Sequence, residues 1–388
     1  MKNVMFYSFF WYNKYMISQI TVNKENLLHN LNQLKKVLHK NVGTIAVIKA
    51  NAYGHGQNEV AKVIEKHVDY FQVDDLAELS SLRKVTKKPI LVFGYVKNDE
   101  LEQAIKLGGI LGIYDLKRAQ ILNEIGSKIN KKIKLHIKVD AHLGRQGILL
   151  ENLPDFLNDF KKLRNVKVTG VYSHFANIED TSDFTHALKQ IDTFQKAVML
   201  FEKRGYKNFA KHMSSTSGVM VYDQFTNYFN LVRLGIGLYG LWPSEDLKNR
   251  FGETIELKPV MEWKTWVAQV KEVPKGFTIG YGLTYMTPIK KKIAVVPQGY
   301  SDGYDRLLSN TGEVLIKGKR CRVLGRVAMN MFMVDVTRIK DVKVEDEVVL
   351  LGKQGKEEIT AEEIARKINT INYEVVSRVN PLLDRVVV

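Results

Sequence analysis

The sequence predicts an α/β protein: a (β/α)₈ TIM barrel followed by a mainly β domain. Eight short apolar runs alternate with helical stretches from Thr44 to Gly240. That is the pattern of buried parallel strands joined by crossover helices. Past Trp242-Pro243 the pattern changes to period-two alternation punctuated by glycine turns. Side chains able to do chemistry also recur at the ends of the apolar runs, where such a barrel carries its site.

The first strand is expected at Ile17–Val22. A helix over Lys24–Leu38 follows, with Leu27, Leu28, Leu31 and Leu34 at helical spacing. The barrel strands are expected at Thr44–Ala50, Tyr70–Val73, Pro89–Gly94, Gly109–Asp115, Lys134–Asp140, Lys167–Phe175, Asn208–Ser214 and Leu231–Gly240. Helical stretches between them include Gln57–Lys66, Leu76–Lys84, Asp99–Leu107, Leu116–Ile125, Asn152–Lys162 and Asp183–Arg204. The second domain reads as strands Val260–Val273, Lys292–Gln298, Glu313–Ile316, Arg320–Val327 and Glu347–Gly352. Its one helix, Thr360–Ile368, opens on the capping pattern Thr360-Ala361-Glu362-Glu363.

Composition narrows the class. With 45% hydrophobic and 26% charged residues, the chain has the balance of a globular protein. No run approaches the roughly 20 apolar residues of a membrane span. The single cysteine, Cys321, excludes an internal disulfide and suits a reducing, cytoplasmic compartment. The net charge of +16 raises the question of nucleic acid, but the lysines are scattered and no nucleic-acid module is present. The charge favours anionic substrates or cofactors instead. Residues 1–16 are rich in aromatics, short for a signal peptide and lack a small-residue cleavage site. They are expected to be a disordered extension.

The most telling segment is Ala46-Val47-Ile48-Lys49-Ala50-Asn51-Ala52-Tyr53-Gly54-His55-Gly56. A buried strand ends on a lysine, whose ammonium is costly to desolvate. An amine in a partly dry site can attack an aldehyde to form a Schiff base. Tyr53 could reach a phosphate, and Gly54 and Gly56 let backbone approach one. A strand simply surfacing into a glycine turn explains the segment equally well. The other strand ends tip the balance: Lys138, Asp140 and Arg145, then His174, then Ser215 and Thr216, then Arg233 and Gly235 all fall on one rim.

With Lys138-Val139-Asp140, Gly144-Arg145, Ser173-His174-Phe175-Ala176, Arg233-Leu234-Gly235, Gly280-Tyr281-Gly282, Gly299-Tyr300-Ser301-Asp302-Gly303-Tyr304 and Asn372-Tyr373-Glu374, that segment resembles the bacterial alanine racemases. These are fold-type III enzymes that use pyridoxal 5′-phosphate. The resemblance runs from about Ile17 to the C-terminus. It implies that Lys49 holds the cofactor covalently and serves as one base, and that Tyr281, from a partner subunit, serves as the other. It implies that Arg233 faces the pyridine nitrogen. Tyr53, Thr216, Gly235, Ile236 and Tyr373 are implied to cradle the phosphate, with His174 beside the cofactor ring. Arg145 and Met329 are similar to the residues that meet the substrate carboxylate, Lys138 to a lysine often carbamylated, and Arg306 and Arg326 to a gate on the substrate path. No metal is implied.

The implied layout is an extension over 1–16, a strand over 17–23 joining the β domain, the cofactor-binding barrel over 24–250 and the β domain over 251–388. A homodimer with shared sites is implied, acting on alanine to supply D-alanine for peptidoglycan. Two further readings stand beside it: a serine or broader-specificity racemase, and a catalytically weak cofactor-binding carrier or regulator.

The chain departs from the family pattern in four places. Ala328 and Asn330 flank Met329 where Cys or Ser and Asp are usual. Ser215-Thr216 replaces Asn-Ser, and Ala141-His142-Leu143 replaces Thr-Gly-Met, setting a bulky ring near Arg145. A tyrosine usual just after Arg385 is absent.

Overall fold

The computed structural model describes residues 17–180, 182–222 and 228–388; the extension expected over 1–16 lies outside them. The chain forms two compact units. One comprises Glu25–Tyr53 and Gln57–Lys258. The other comprises Pro259–Val388, Gly54–Gly56 and the N-terminal segment to Lys24, which contains strand β1 (Ser18–Val22).

The first unit is a closed parallel barrel. Its strands are β2 (Gly43–Val47), β3 (Tyr70–Val73), β4 (Ile90–Val92), β5 (Gly109–Ile113), β6 (Ile133–Lys138), β7 (Val166–Tyr172), β8 (Ala210–His212) and β9 (Leu231–Leu234). They neighbour one another in chain order, and β9 returns to pair with β2. Backbone bonds from Asn230 N–H to Lys211 O (3.2 Å) and from Arg233 N–H to Ser214 O (3.0 Å) close the gap between β8 and β9. The helices are α1 (Lys24–Lys36), α2 (Gln57–Ile64), α3 (Leu76–Arg83), α4 (Leu101–Lys106), α5 (Leu116–Lys128), α6 (Leu153–Phe160), α7 (Thr185–Lys203), α8 (Thr216–Tyr222) and α9 (Glu245–Phe251). Inward-facing Ile45, Leu91, Phe93, Tyr172 and Leu231 fill the barrel interior, the mark of a packed core rather than a pore.

Seven of the eight barrel strands stop earlier than the apolar runs suggest, Tyr70–Val73 alone ending where expected, and two of these early stops shape the site. The run Thr44–Ala50 stops pairing at Val47. Beyond Lys49 the chain turns left-handed, with φ of 51° to 54° at Ala50, Asn51, Ala52 and Tyr53. Such backbone costs L-residues about 1–2 kcal/mol each, so the surroundings must hold it. The run Leu231–Gly240 pairs only to Leu234. Gly235 then breaks it into a 3₁₀ turn, Ile236–Tyr239, because an apolar run alone does not separate strand from buried turn.

The second unit is mainly β. Its strands are β10 (Met261–Trp266), β11 (Gln269–Val273), β12 (Thr278–Ile279), β13 (Tyr285–Met286), β14 (Lys291–Val296), β15 (Glu313–Ile316), β16 (Lys319–Leu324), β17 (Phe332–Asp335), β18 (Glu347–Gln354), β19 (Glu357–Ile359) and β20 (Arg385–Val387). The long strand expected over Val260–Val273 is two strands with different partners. Val267 N–H donates to Asp346 O and Ala268 N–H to Val295 O, so the chain changes neighbours at that point. β10 pairs with β1 and β18, whereas β11 pairs with β14. β1 lies between β10 and β20. Helices α10 (Ala361–Ile368) and α11 (Asn372–Ser377) complete the unit; Thr360 Oγ1 accepts the Glu363 N–H at 3.1 Å, the cap its sequence pattern announces.

Candidate active site

The barrel gathers its candidate residues at the carboxyl ends of the strands. Lys49 follows β2, and its Nζ lies 3.7 Å from Asp74 Oδ1 at the end of β3. The left-handed turn after it is held from α3. Glu78 Oε1 accepts the Ala50 N–H (2.6 Å) and Oε2 accepts the Asp74 N–H (2.7 Å). Burial pushes the Glu78 carboxyl above its ordinary range. Asn51 Oδ1 accepts the Gln57 N–H that opens α2.

Arg233, buried in β9, is fixed at both ends of its fork. Nη1 donates to His212 Nδ1 at 2.7 Å; Nη2 meets Ser173 O (2.8 Å), Met213 O (2.9 Å) and His174 Nδ1 (3.0 Å). Burial lowers its pKa to about 10, which leaves it charged at neutral pH. Guanidinium has no acceptor, so both imidazoles must offer a lone pair. Burial, then Arg233, hold both histidines well below their ordinary pKa, which keeps those lone pairs available.

Tyr53, Thr216 and Gly235 converge beside them. Thr216 Oγ1 accepts the Gly235 N–H at 3.0 Å, and a Cβ at Gly235 would lie 3.0 Å from Tyr53 Oη. Glycine keeps that space clear, and Ile236 opens the 3₁₀ turn there. Burial pushes the Tyr53 phenol up to about 12, so it acts as a neutral donor.

Lys138 ends β6 and is buried. Its Nζ lies 3.5 Å from Gln146 Oε1. Burial, then the charge of Arg145, bring its pKa down to about 8. Arg145 itself is exposed on a loop that Asp140 organises by accepting the Leu143 and Gly144 N–H groups.

Tyr281, Met329, Arg306, Arg326 and Tyr373 belong to the second unit. Tyr281 sits in the tight β12–β13 hairpin after Gly280 (φ 75°), with 73% of its surface exposed. A Cβ on Gly282 would come within 3.0 Å of the Arg326 guanidinium, so that glycine lets Arg326 lie along the hairpin. Met329 is exposed in the loop after β16; among the described residues its N–H makes no hydrogen bond. Its carbonyl accepts the Ser301 N–H and Oγ–H. Arg306 is exposed on a 3₁₀ turn capped by Asp305. Tyr373 is half-buried in α11.

Two family models match, in chain order: the alanine racemase N-terminal domain over residues 22–243 and the alanine racemase C-terminal domain over residues 260–387. The chain belongs to the alanine racemase family. It is 37% identical to alanine racemase 2 of Caldanaerobacter subterraneus subsp. tengcongensis over 372 residues, covering 95% of this chain and 94% of that one. The solved alanine racemase of Clostridium difficile 630 superposes with a TM-score of 0.90 at 36% identity, covering 96% of each chain. That of Bartonella henselae, solved with covalently bound pyridoxal phosphate, gives a TM-score of 0.83 at 25% identity, covering 96% of this chain and all of the other.

The family depends on pyridoxal phosphate, and the residues in the barrel suit it. Lys49 offers an amine. The clearing kept by Gly235 between Tyr53 and Thr216 suits a phosphate. Arg233 spends both terminal nitrogens on protein acceptors, yet its Nε–H has no partner among the described residues. One donor is thus left for a ring nitrogen.

The departures from the racemase pattern are absorbed locally. His142 takes a left-handed conformation (φ 62°), and its Nε2 lies 3.0 Å from Thr193 Oγ1 of α7. Its carbonyl is 3.1 Å from His186 Nε2. Asn330 Nδ2 donates to Ser301 Oγ at 2.9 Å, a role that needs no charge. Sequence reading passed over Asp74, Glu78, Gln190 and His212. Gln190, wholly buried in α7, bridges Ala141 O, His174 O and the Ala176 N–H. A buried polar side chain on a helix face was the signal available for it.

Proposed function

We propose that this chain interconverts L-alanine and D-alanine with pyridoxal 5′-phosphate, using Lys49 and Tyr281 as bases on opposite faces of the substrate. The observation that carries the reading is Arg233: a buried, charged guanidinium with one free donor, where a decarboxylase would want a carboxylate. When bound, the cofactor withdraws electrons from the amino acid's Cα and makes its proton removable. The protein's residues decide where that proton goes. Lys49 Nζ takes or returns it on one face, and Tyr281 Oη on the other, because one base does not easily reach both. Arg233 donates a hydrogen bond without giving up its proton, which leaves the ring nitrogen uncharged and restrains side reactions. Tyr53, Thr216, Gly235, Ile236 and Tyr373 hold the phosphate, and His174 packs beside the ring. Arg145 and the Met329 N–H take the substrate carboxylate, with Arg306 and Arg326 gating its approach.

Lys138 reacts with carbon dioxide in this reading, which its burial and its pKa of about 8 support. Its neutral amine forms the N–C bond and releases a proton, so a buried cation beside Arg145 becomes an anion. The functional unit is a homodimer in which Tyr281 serves the partner's site. Support comes from Phe277, Tyr281, Leu283, Met286 and Ile289, apolar side chains exposed on and around the β12–β13 hairpin. The reaction supplies D-alanine for peptidoglycan in the cytoplasm. The purified protein is therefore expected to show a visible cofactor band abolished by borohydride, and to racemise alanine from either enantiomer in a chiral assay. A colourless protein that leaves both enantiomers unchanged after cofactor addition would refute the reading.

A further inference from the structure

We propose that His136 is a positioning residue for this reaction: through His212 it holds Arg233 in the orientation that the cofactor's ring nitrogen requires. The proposal rests on the reading that Arg233 faces that nitrogen.

His136 lies in β6, two residues before Lys138, so both side chains leave the strand on the same face. Its Nδ1 is 2.9 Å from His212 Nε2, and His212 Nδ1 is 2.7 Å from Arg233 Nη1. Three side chains thus form one buried line across the barrel interior; His136 and His212 are 1% and 0% exposed. The line has only one consistent proton arrangement. Arg233 is a donor, so His212 Nδ1 must be bare and its proton must sit on Nε2. That proton is donated to His136 Nδ1, so His136 carries its own proton on Nε2. Burial supports the neutral state of both rings, holding His136 down to about 3 and His212 well below its ordinary value.

The surroundings fix this line in place. Gly170 of β7 stands opposite His136, and a Cβ there would lie 2.4 Å from the ring's Cε1 and Nδ1. The ring needs that glycine. Tyr172 stacks on His212 with centroids 5.2 Å apart and planes 5° from parallel, and Phe93 flanks it at 5.7 Å. His136 also lines an open cavity of about 660 Å³ bordered by Gly43, Tyr70, Ile110, Lys134 and Ala210, at the amino ends of the strands. Without His136, the His212 proton has no acceptor at Nε2, and the tautomer that puts it on Nδ1 sets two donors against each other at Arg233.

The test is nitrogen NMR of the ¹⁵N-histidine-labelled full-length protein, read with side-product analysis. In the wild type His212 should show a bare Nδ1 and a protonated Nε2. In His136→Phe the pyruvate formed per racemisation should rise about tenfold, the amino group passing to the cofactor and water supplying the keto oxygen. His136→Asn, whose amide oxygen can accept where Nδ1 does, should bring that ratio back towards wild type. A proton on His212 Nδ1 in the wild type overturns the proposal, whether or not any variant folds. So does a folded His136→Phe with an unchanged His212 tautomer and product ratio. The tautomer is read without turnover, so a protein that proved inactive on alanine would sink the racemase reading and still decide the state of His212.

Discussion

Glu78 clamps the backbone beside Lys49: its Oε1 accepts the Ala50 N–H at 2.6 Å, the first peptide of the left-handed turn. Its other oxygen accepts from Asp74, whose side chain is the ion-pair partner of Lys49. One carboxylate therefore ties together the turn that aims the lysine and the strand end that faces it. Replacing it with alanine leaves two peptide N–H groups to solvent and frees the strained turn. Glu78→Ala should lose about 1–2 kcal/mol of stability and release the cofactor faster, with Glu78→Gln in between. Urea midpoints and the decay of the visible band after dilution measure the two effects. A variant with wild-type cofactor retention would show that the turn holds itself.

Lys138 gives a pH prediction with a definite sign. Its folded pKa is about 8, against an ordinary 10.5. Between those values the unfolded chain binds more protons than the folded one, so stability rises with pH across that window. At pH 7 the cost of burying the ammonium is present in full. Lys138→Met should therefore be more stable than wild type at pH 7 in buffer free of carbon dioxide, and the gap should narrow towards pH 10.5. A gap that does not change with pH contradicts the buried-cation account.

Arg233→Glu exchanges a donor that keeps its proton for a carboxylate that raises the pKa of a neighbouring ring nitrogen. Racemisation should fall by about a hundredfold or more, and pyruvate should appear among the products. Circular dichroism checks that the variant folds. A product mixture free of pyruvate would remove Arg233 from its assigned role.

Much of this was legible in the sequence, for reasons that particular residues make plain. Lys49, Lys138 and Arg233 stand out because a charge at or inside an apolar strand demands a physical cause. Thr360-Ala361-Glu362-Glu363 announced its cap because that hydrogen bond is local. Strand ends were less legible: Ile48 and Gly235 continue apolar runs, yet the chain leaves the sheet near both. The break at Val267 follows from a change of partners, which no local pattern encodes. Asp74 and Glu78 were passed over because an acidic pair at a helix start reads as a cap. Asp75 does cap α3, accepting the Glu78 N–H at 2.9 Å, while Glu78 turns back towards Lys49.

The shared-site proposal predicts complementation. Lys49→Ala and Tyr281→Phe homodimers should each be crippled. A mixed dimer collects both lesions in one site and none in the other. Mixing the two proteins under subunit exchange should therefore restore up to one intact site per heterodimer. No recovery in heterodimers verified by mass would rule out a tyrosine supplied by the partner.

The central claim is that two bases work on two faces, and deuterium wash-in tests it most directly. Tyr281→Phe is incubated with each alanine enantiomer separately in D₂O, and exchange at Cα is followed by NMR before racemisation accumulates. The account predicts that exchange from L-alanine falls by about a hundredfold or more, while exchange from D-alanine through Lys49 persists near the wild-type rate. Equal loss from both enantiomers, or none from either, would contradict it.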